Sequence, residues 1–97
     1  MELILNTRKV INMTNKLNIT KKKEQFDEDN SFDILEIRAE TDHPSSEISF
    51  YMNNNHLATT MTDNEGVAVA GISFEENQDY TFSIMVKEEK VEVEYST

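Results

Sequence analysis

The acidic stretch DEDNSFD, residues 27–33, has the residue types and spacing of a cation loop. Asp27, Asp29, Ser31 and Asp33 stand at its first, third, fifth and seventh places, where a calcium loop puts its oxygen ligands. Such a loop also needs glycine at its sixth place and a bidentate glutamate at its twelfth. Phe32 and Arg38 stand there instead, so the segment reads as a solvated acidic loop. His43 and His56, the only histidines, fall in turn-like segments, and sequence cannot place further zinc ligands beside them. No metal site is expected. No G-x-S-x-G, P-loop or H-E-x-x-H pattern occurs, and two glycines cannot build a phosphate cradle. Carboxylates are plentiful, but nothing predicts a pocket that would tune them for acid–base work. The chain is therefore expected to be no enzyme and to carry no cofactor.

What remains is surface chemistry. Glu88, Glu89, Glu92 and Glu94 gather on or beside the last strand-like run, and Glu36 and Glu40 join them if their strand lies in the same sheet. A ridge of that kind can imitate a phosphate backbone and block a basic groove. The same charges also keep an edge strand from pairing with other chains. Tyr51 and Met85 fall on the wet faces of their strands and, with Met61, form an anchor patch for a partner. These residues make up the expected partner-binding set.

The charge balance points the same way. The net charge is −10, with no cysteine for disulfides or thiolate metal sites. Residues 1–23 hold six cations against one acid, whereas residues 24–97 hold three cations against eighteen acids. Such a body is repelled by nucleic acid and by anionic membranes, and attracted to a basic protein surface. The opening MELILNTRKVINM has only a three-residue apolar run, too short for a signal peptide, and nothing approaches a membrane span. The expected setting is cytoplasmic or virion-associated. Lysine outnumbers arginine and asparagine is abundant, which fits a bacterial or phage source.

Positioning these residues requires strands. From residue 32 onward the hydrophobic period is two. Ile48, Phe50 and Met52 alternate with polar residues, as do Tyr80, Phe82, Ile84 and Val86, then Val91, Val93 and Tyr95. Leu35, Ile37 and Ala39 alternate with Glu36, Arg38 and Glu40, leaving Phe32 and Ile34 on the polar side. DHPSS, MNNNHL, DNEG, EENQD and KEEK punctuate the runs as turns. Regular short strands and turns predict an all-β sandwich or barrel. Residues 1–31 are read as an N-terminal segment of the same domain and 32–97 as its body. LIL (3–5), KVINM (9–13) and KLNIT (16–20) are candidate short strands, KKKEQFDEDNS (21–31) an exposed loop, and Phe26 within it a plug for the core edge.

Both glycines lie in TTMTDNEGVAVAG, residues 59–71. Asp63 suits the first place of a type I turn, and Gly66 a fourth place with positive φ, predicting a hairpin between the flanking strands. Gly71 interrupts a strand pattern and predicts a bulge or bend. Thr62, Asp63, Gly66 and Ala68, followed by Tyr80-Thr81-Phe82, resemble the T-D-x-x-G-x-A and Y-T-F patterns of bacterial immunoglobulin-like domains of surface and phage proteins. The resemblance covers residues 33–96 and implies an antiparallel Greek-key sandwich of about seven strands. Two features depart from that family. Asn77-Gln78-Asp79 replaces its usual glycine, and the chain is a single domain without tandem copies. The lysine–asparagine cross-link of some members is not expected, since the last strand, VEVEYST, offers no Asn or Asp. The resulting expectation is a non-enzymatic protein-interaction or structural module, such as a virion or assembly component, with self-association allowed. The alternative is a small acidic phage-type inhibitor that occludes a nucleic-acid-binding host defence protein.

Overall fold

The computed structural model describes residues 15–25 and 27–97. The strands anticipated at 3–5 and 9–13, and Phe26, lie outside the described residues. The period-two runs form seven strands: β1 (Lys16–Gln25), β2 (Ser31–Glu40), β3 (Glu47–Met52), β4 (Asn55–Met61), β5 (Val67–Ile72), β6 (Asp79–Val86) and β7 (Glu89–Ser96). They make two antiparallel sheets, β1-β2-β5 and β4-β3-β6-β7, packed as a sandwich. No helix among the described residues is long and apolar enough to cross a membrane.

The inward phase of the alternation supplies the core. Leu17, Leu35, Ile37, Ala39 and Ala68 from one sheet meet Ile48, Phe50, Phe82, Ile84 and Val86 from the other, all buried. The ladder pairs Ile48 with Val86, Phe50 with Ile84 and Met52 with Phe82, so β3 and β6 are the central strands of the larger sheet. Burying Phe50 and Phe82 completely contributes roughly 1.5–3 kcal/mol each from apolar area alone.

Three expectations are corrected. KKKEQ is strand, not loop: Lys21–Gln25 continue β1 and pair in register with Leu35–Ser31 of β2. Acids hold the lysines there, with Lys22 3.1 Å from Glu36, Lys23 3.0 Å from Asp33 and Lys21 3.0 Å from Glu76. A boundary at residue 31 therefore cuts into β2, and β1 is part of the same sandwich through its buried Leu17. The second correction concerns Asp63–Gly66. The turn chemistry holds: Gly66 N–H donates to Asp63 O at 3.0 Å, and Gly66 has φ +81°. Asp63 carboxylate oxygen accepts the Val67 and Glu65 N–H groups, which hold its carboxyl below the usual carboxylate range. Yet β4 and β5 lie in different sheets, so the turn is a crossover and not a hairpin. The third concerns Gly71, which pairs with Glu36 in unbroken register, without a bulge. Its missing side chain leaves room for Ile34, whose Cδ1 would lie 3.2 Å from an added Cβ.

Two tight hairpins frame the larger sheet. Asn53 and Asn54 close β3–β4 at φ 51° and 68°, the positive values that a two-residue primed turn requires. Asn53 also joins β6, donating its N–H to Thr81 O at 2.7 Å and accepting Thr81 N–H on Oδ1 at 2.9 Å. Lys87 and Glu88 close β6–β7 with the same left-handed backbone, φ 50° and 65°. That region is unfavourable for side chains of this kind. Replacing the pair with Asn-Gly (K87N/E88G) should stabilise the fold by about 1 kcal/mol or more. A rise in the urea midpoint at unchanged m-value is the expected readout, and no rise would contradict the strain.

Candidate partner-binding face

Alternation sends the polar phase of each strand outward, so the sandwich has two outer faces of different chemistry. The outer face of β1-β2-β5 carries Lys16, Lys22 and Arg38 among Glu24, Glu36 and Glu40. Its charges neutralise one another: Arg38 Nε lies 2.9 Å from Glu40 Oε2, and Lys22 pairs with Glu36. The Glu40 contact raises the Arg38 pKa further, fixing that charge. The outer face of β4-β3-β6-β7 carries Glu47, Asp79, Glu92 and Glu94 with Lys90 as its cation. Lys90 sits 3.7 Å from Glu92. With four acids against one lysine this face is net −3 while the other is neutral, and most of the remaining acids lie in turns and connections.

Tyr51, Met61 and Met85 share this acidic face. Register sets Ser49 between Met85 of β6 and Thr59 of β4, Tyr51 opposite Ser83, and Met61 opposite Glu47. Met61 is 58% exposed at the end of the edge strand β4, and Met85 36% on the central strand β6. Tyr51 is half-buried rather than exposed, because His56 packs edge-on against its ring at 5.6 Å. His56 is itself held by Thr59 Oγ1 at 2.7 Å. The register shift between Phe50 and Tyr51 brings His56 opposite Tyr51. Ser83, buried beneath these side chains, floors a shallow cleft of about 170 Å³ lined by Tyr51, Asn54, Met85 and Lys90. The lining combines a flexible thioether and an anchored phenol with Lys90, which lies 3.7 Å from Glu92.

The expected ridge is not continuous. Glu92 and Glu94 lie on this face, next to Ser83 and Thr81 of β6. Glu88 sits in the β6–β7 turn. Glu89 turns to His43, 3.1 Å away, and accepts from the Asn15 side-chain amide. Glu36 and Glu40 are in β2, in the other sheet, and are already paired with cations, so they do not extend the ridge.

The calcium-spaced residues do not converge either. Asp27 caps its own turn, accepting from the Asn30 side chain and from the Asp29 and Asn30 N–H groups. The Asn30 amide, then the Asp29 N–H, keep its carboxyl below the usual range. Asp33 is engaged by Lys23.

No protein-family model, curated protein or solved structure matches the chain. Function is therefore read from this geometry alone. Two features escaped sequence reasoning. An open groove of about 440 Å³ on the neutral face is lined by Glu24, Phe32, Ile34, Gly71 and Ile72, with Phe32 49% exposed. Its signal was present, as two large apolar residues on the polar phase of β2. Asp42, His43 and Glu89 also meet, each offering a ligand atom within 4.8 Å of the others. Their separation along the chain left no sequence signal.

Proposed function

We propose that the chain is a non-enzymatic, immunoglobulin-like interaction or structural module, of the kind used in virions and assemblies. It docks another protein through the outer face of β4-β3-β6-β7. The observation carrying this is the placement of Tyr51, Met61 and Met85 on one outer face that also carries Glu47, Glu92 and Glu94. Two features support the immunoglobulin-like reading. The first, second and fifth strands share one sheet, and the third, sixth and seventh the other. Tyr80, at the start of β6, accepts the Glu75 N–H on its hydroxyl at 3.0 Å, a bond like that of the tyrosine corner in such sandwiches. The fourth strand lies beside the third, whereas constant-type domains put it in the other sheet.

Docking of this kind is tested by capture from a lysate of the source organism, at low and high salt, with wild type and with Tyr51→Ala/Met85→Ala. Loss of the two anchors should weaken a captured partner by about 2 kcal/mol, roughly thirtyfold. Equal capture by the variant would remove the face from consideration. A second reading, the acidic inhibitor of a nucleic-acid-binding protein, is favoured by the difference between the net negative outer face of this sheet and the charge-paired face of the other. It predicts a nucleic-acid enzyme that is retained at low salt, released at high salt, and lost with Glu92→Lys/Glu94→Lys. An anchor-dominated complex should survive the higher salt. Light scattering distinguishes a self-assembling module from a monomeric one.

A further inference from the structure

We infer that Asp42, His43 and Glu89, with the side-chain oxygen of Asn15, form a binding site for a divalent transition-metal ion of the zinc class. Three separate parts of the chain supply it: the residue preceding β1, the β2–β3 connection and the first residue of β7. His43 Nε2 lies 3.1 Å from Glu89 Oε1 and 3.5 Å from Asp42 Oδ1, and all three donors fall within 4.8 Å of one another. Zinc bonds of about 2.0–2.2 Å set neighbouring tetrahedral ligands roughly 3.3–3.5 Å apart. Two edges of the site already have nearly that length. The third closes by rotation of Asp42, which is exposed.

Charge and hydrogen bonding also fit a cation. Among the described residues, Asp42 and Glu89 have no lysine or arginine within ion-pair distance and share one imidazole. A dication would balance the two carboxylates and accept the neutral imidazole as a nitrogen donor. The Asn15 amide stands at the same place, donating from Nδ2 to Glu89 Oε1. Its Oδ1 is enclosed and has no hydrogen-bond partner among the described residues. A buried carbonyl oxygen without a partner is rare, and a flip of the amide about Cβ–Cγ, exchanging nitrogen and oxygen, turns it toward Glu89 as the fourth ligand. An ion pair between His43 and the carboxylates alone leaves that oxygen unexplained.

The central ligand is held before any metal arrives. His43 N–H donates to Thr41 Oγ1 at 3.1 Å, and His43 C=O accepts from Thr62 Oγ1 at 2.6 Å. Thr41 and Thr62 are buried, so they fix the backbone from both sides. Support of this kind is what metal ligands require for high affinity. The imidazole favours zinc over magnesium or calcium.

The test is calorimetric titration of the full, chelator-treated chain with Zn²⁺, alongside thermal denaturation. One ion should bind with a Kd near or below about 10 µM and raise Tm by roughly 5 °C or more at saturation. His43→Ala and Glu89→Gln should each weaken binding at least tenfold, and His56→Ala should leave it unchanged. Glu89→Gln carries the test if His43→Ala does not fold, since Glu89 is at the surface. Cobalt(II) substitution adds a direct readout: ligand-field bands in wild type and their loss in both variants. The inference is overturned by no saturable zinc binding, by binding indifferent to Glu89→Gln, by equal loss in His56→Ala, or by a magnesium-induced Tm rise as large as that from zinc.

Discussion

Gly66→Ala should destabilise the fold by roughly 3 kcal/mol or more, lowering Tm by roughly 12 °C or more for a chain of this size. Two causes act together. Gly66 has φ +81°, which is unfavourable for any residue with a Cβ. The larger cause is contact: an added Cβ would lie 2.1 Å from Thr41 O, a backbone atom that cannot swing aside. Relieving the overlap means parting the two strands of chain. That breaks the bonds to Gly66 O from Thr41 N–H at 2.9 Å and Thr41 Oγ1 at 3.1 Å. Gly66→Asn separates the causes. Asparagine tolerates positive φ but keeps the Cβ, so it should be almost as harmful. An asparagine variant within about 1 kcal/mol of wild type would show that conformation, not close approach, selects glycine here.

The same turn shows how far the sequence carries the fold. Asp63 and Gly66 announce a type I turn, and the flanking TTMT and VAVA announce strands. Nothing local says whether the second strand stays in the sheet of the first. The crossover follows from partners far along the chain: Thr41 N–H donates to Gly66 O, and Thr62 N–H donates to Ser46 O. The second half of β1 reads as a loop for a related reason, although KLNIT (16–20) reads correctly as strand. Lys21, Lys22 and Lys23 look like a solvated loop until the acids that neutralise them are set beside them by the β1–β2 pairing and by Glu76. By contrast, the alternations around Phe50, Phe82 and Val91 were legible because a strand with one wet face records its own orientation at every second residue.

For the candidate face, phase was readable and sheet membership was not. Tyr51, Met85, Glu92 and Glu94 were placed on wet faces by periodicity, and they do share one surface. Glu36 and Glu40 satisfied the same rule but belong to β2, across the core. Phe32 and Ile34 broke the rule, and the break marks an apolar groove that Gly71 keeps open. The Asp42–His43–Glu89 cluster depends on the β2–β3 connection lying against the start of β7. Packing decides that contact, and pattern does not.

Thr62→Val should cost about 2–4 kcal/mol although it preserves side-chain shape. Thr62 is 3% exposed, and its hydroxyl works in two directions. It accepts the Ser46 N–H at 2.9 Å and donates to His43 O at 2.6 Å. Valine leaves the buried Ser46 N–H and the part-buried His43 carbonyl without these bonds, and such groups are costly. The neighbouring Ser45 is held at φ 50°, with its N–H donating to Asp63 O at 3.0 Å. Once the hydroxyl is gone, the loop has that strain to release and less to oppose it. Thr62→Ser keeps the hydroxyl and loses only a methyl, so it should cost about 1 kcal/mol or less. Urea denaturation should show a large fall in midpoint for valine and a small one for serine, at similar m-values. Near-equal losses would mean that packing of the methyl, not the hydroxyl pair, makes threonine necessary. The valine variant should also bind zinc more weakly than the serine variant, because the bond it removes is the one that holds the His43 carbonyl in place.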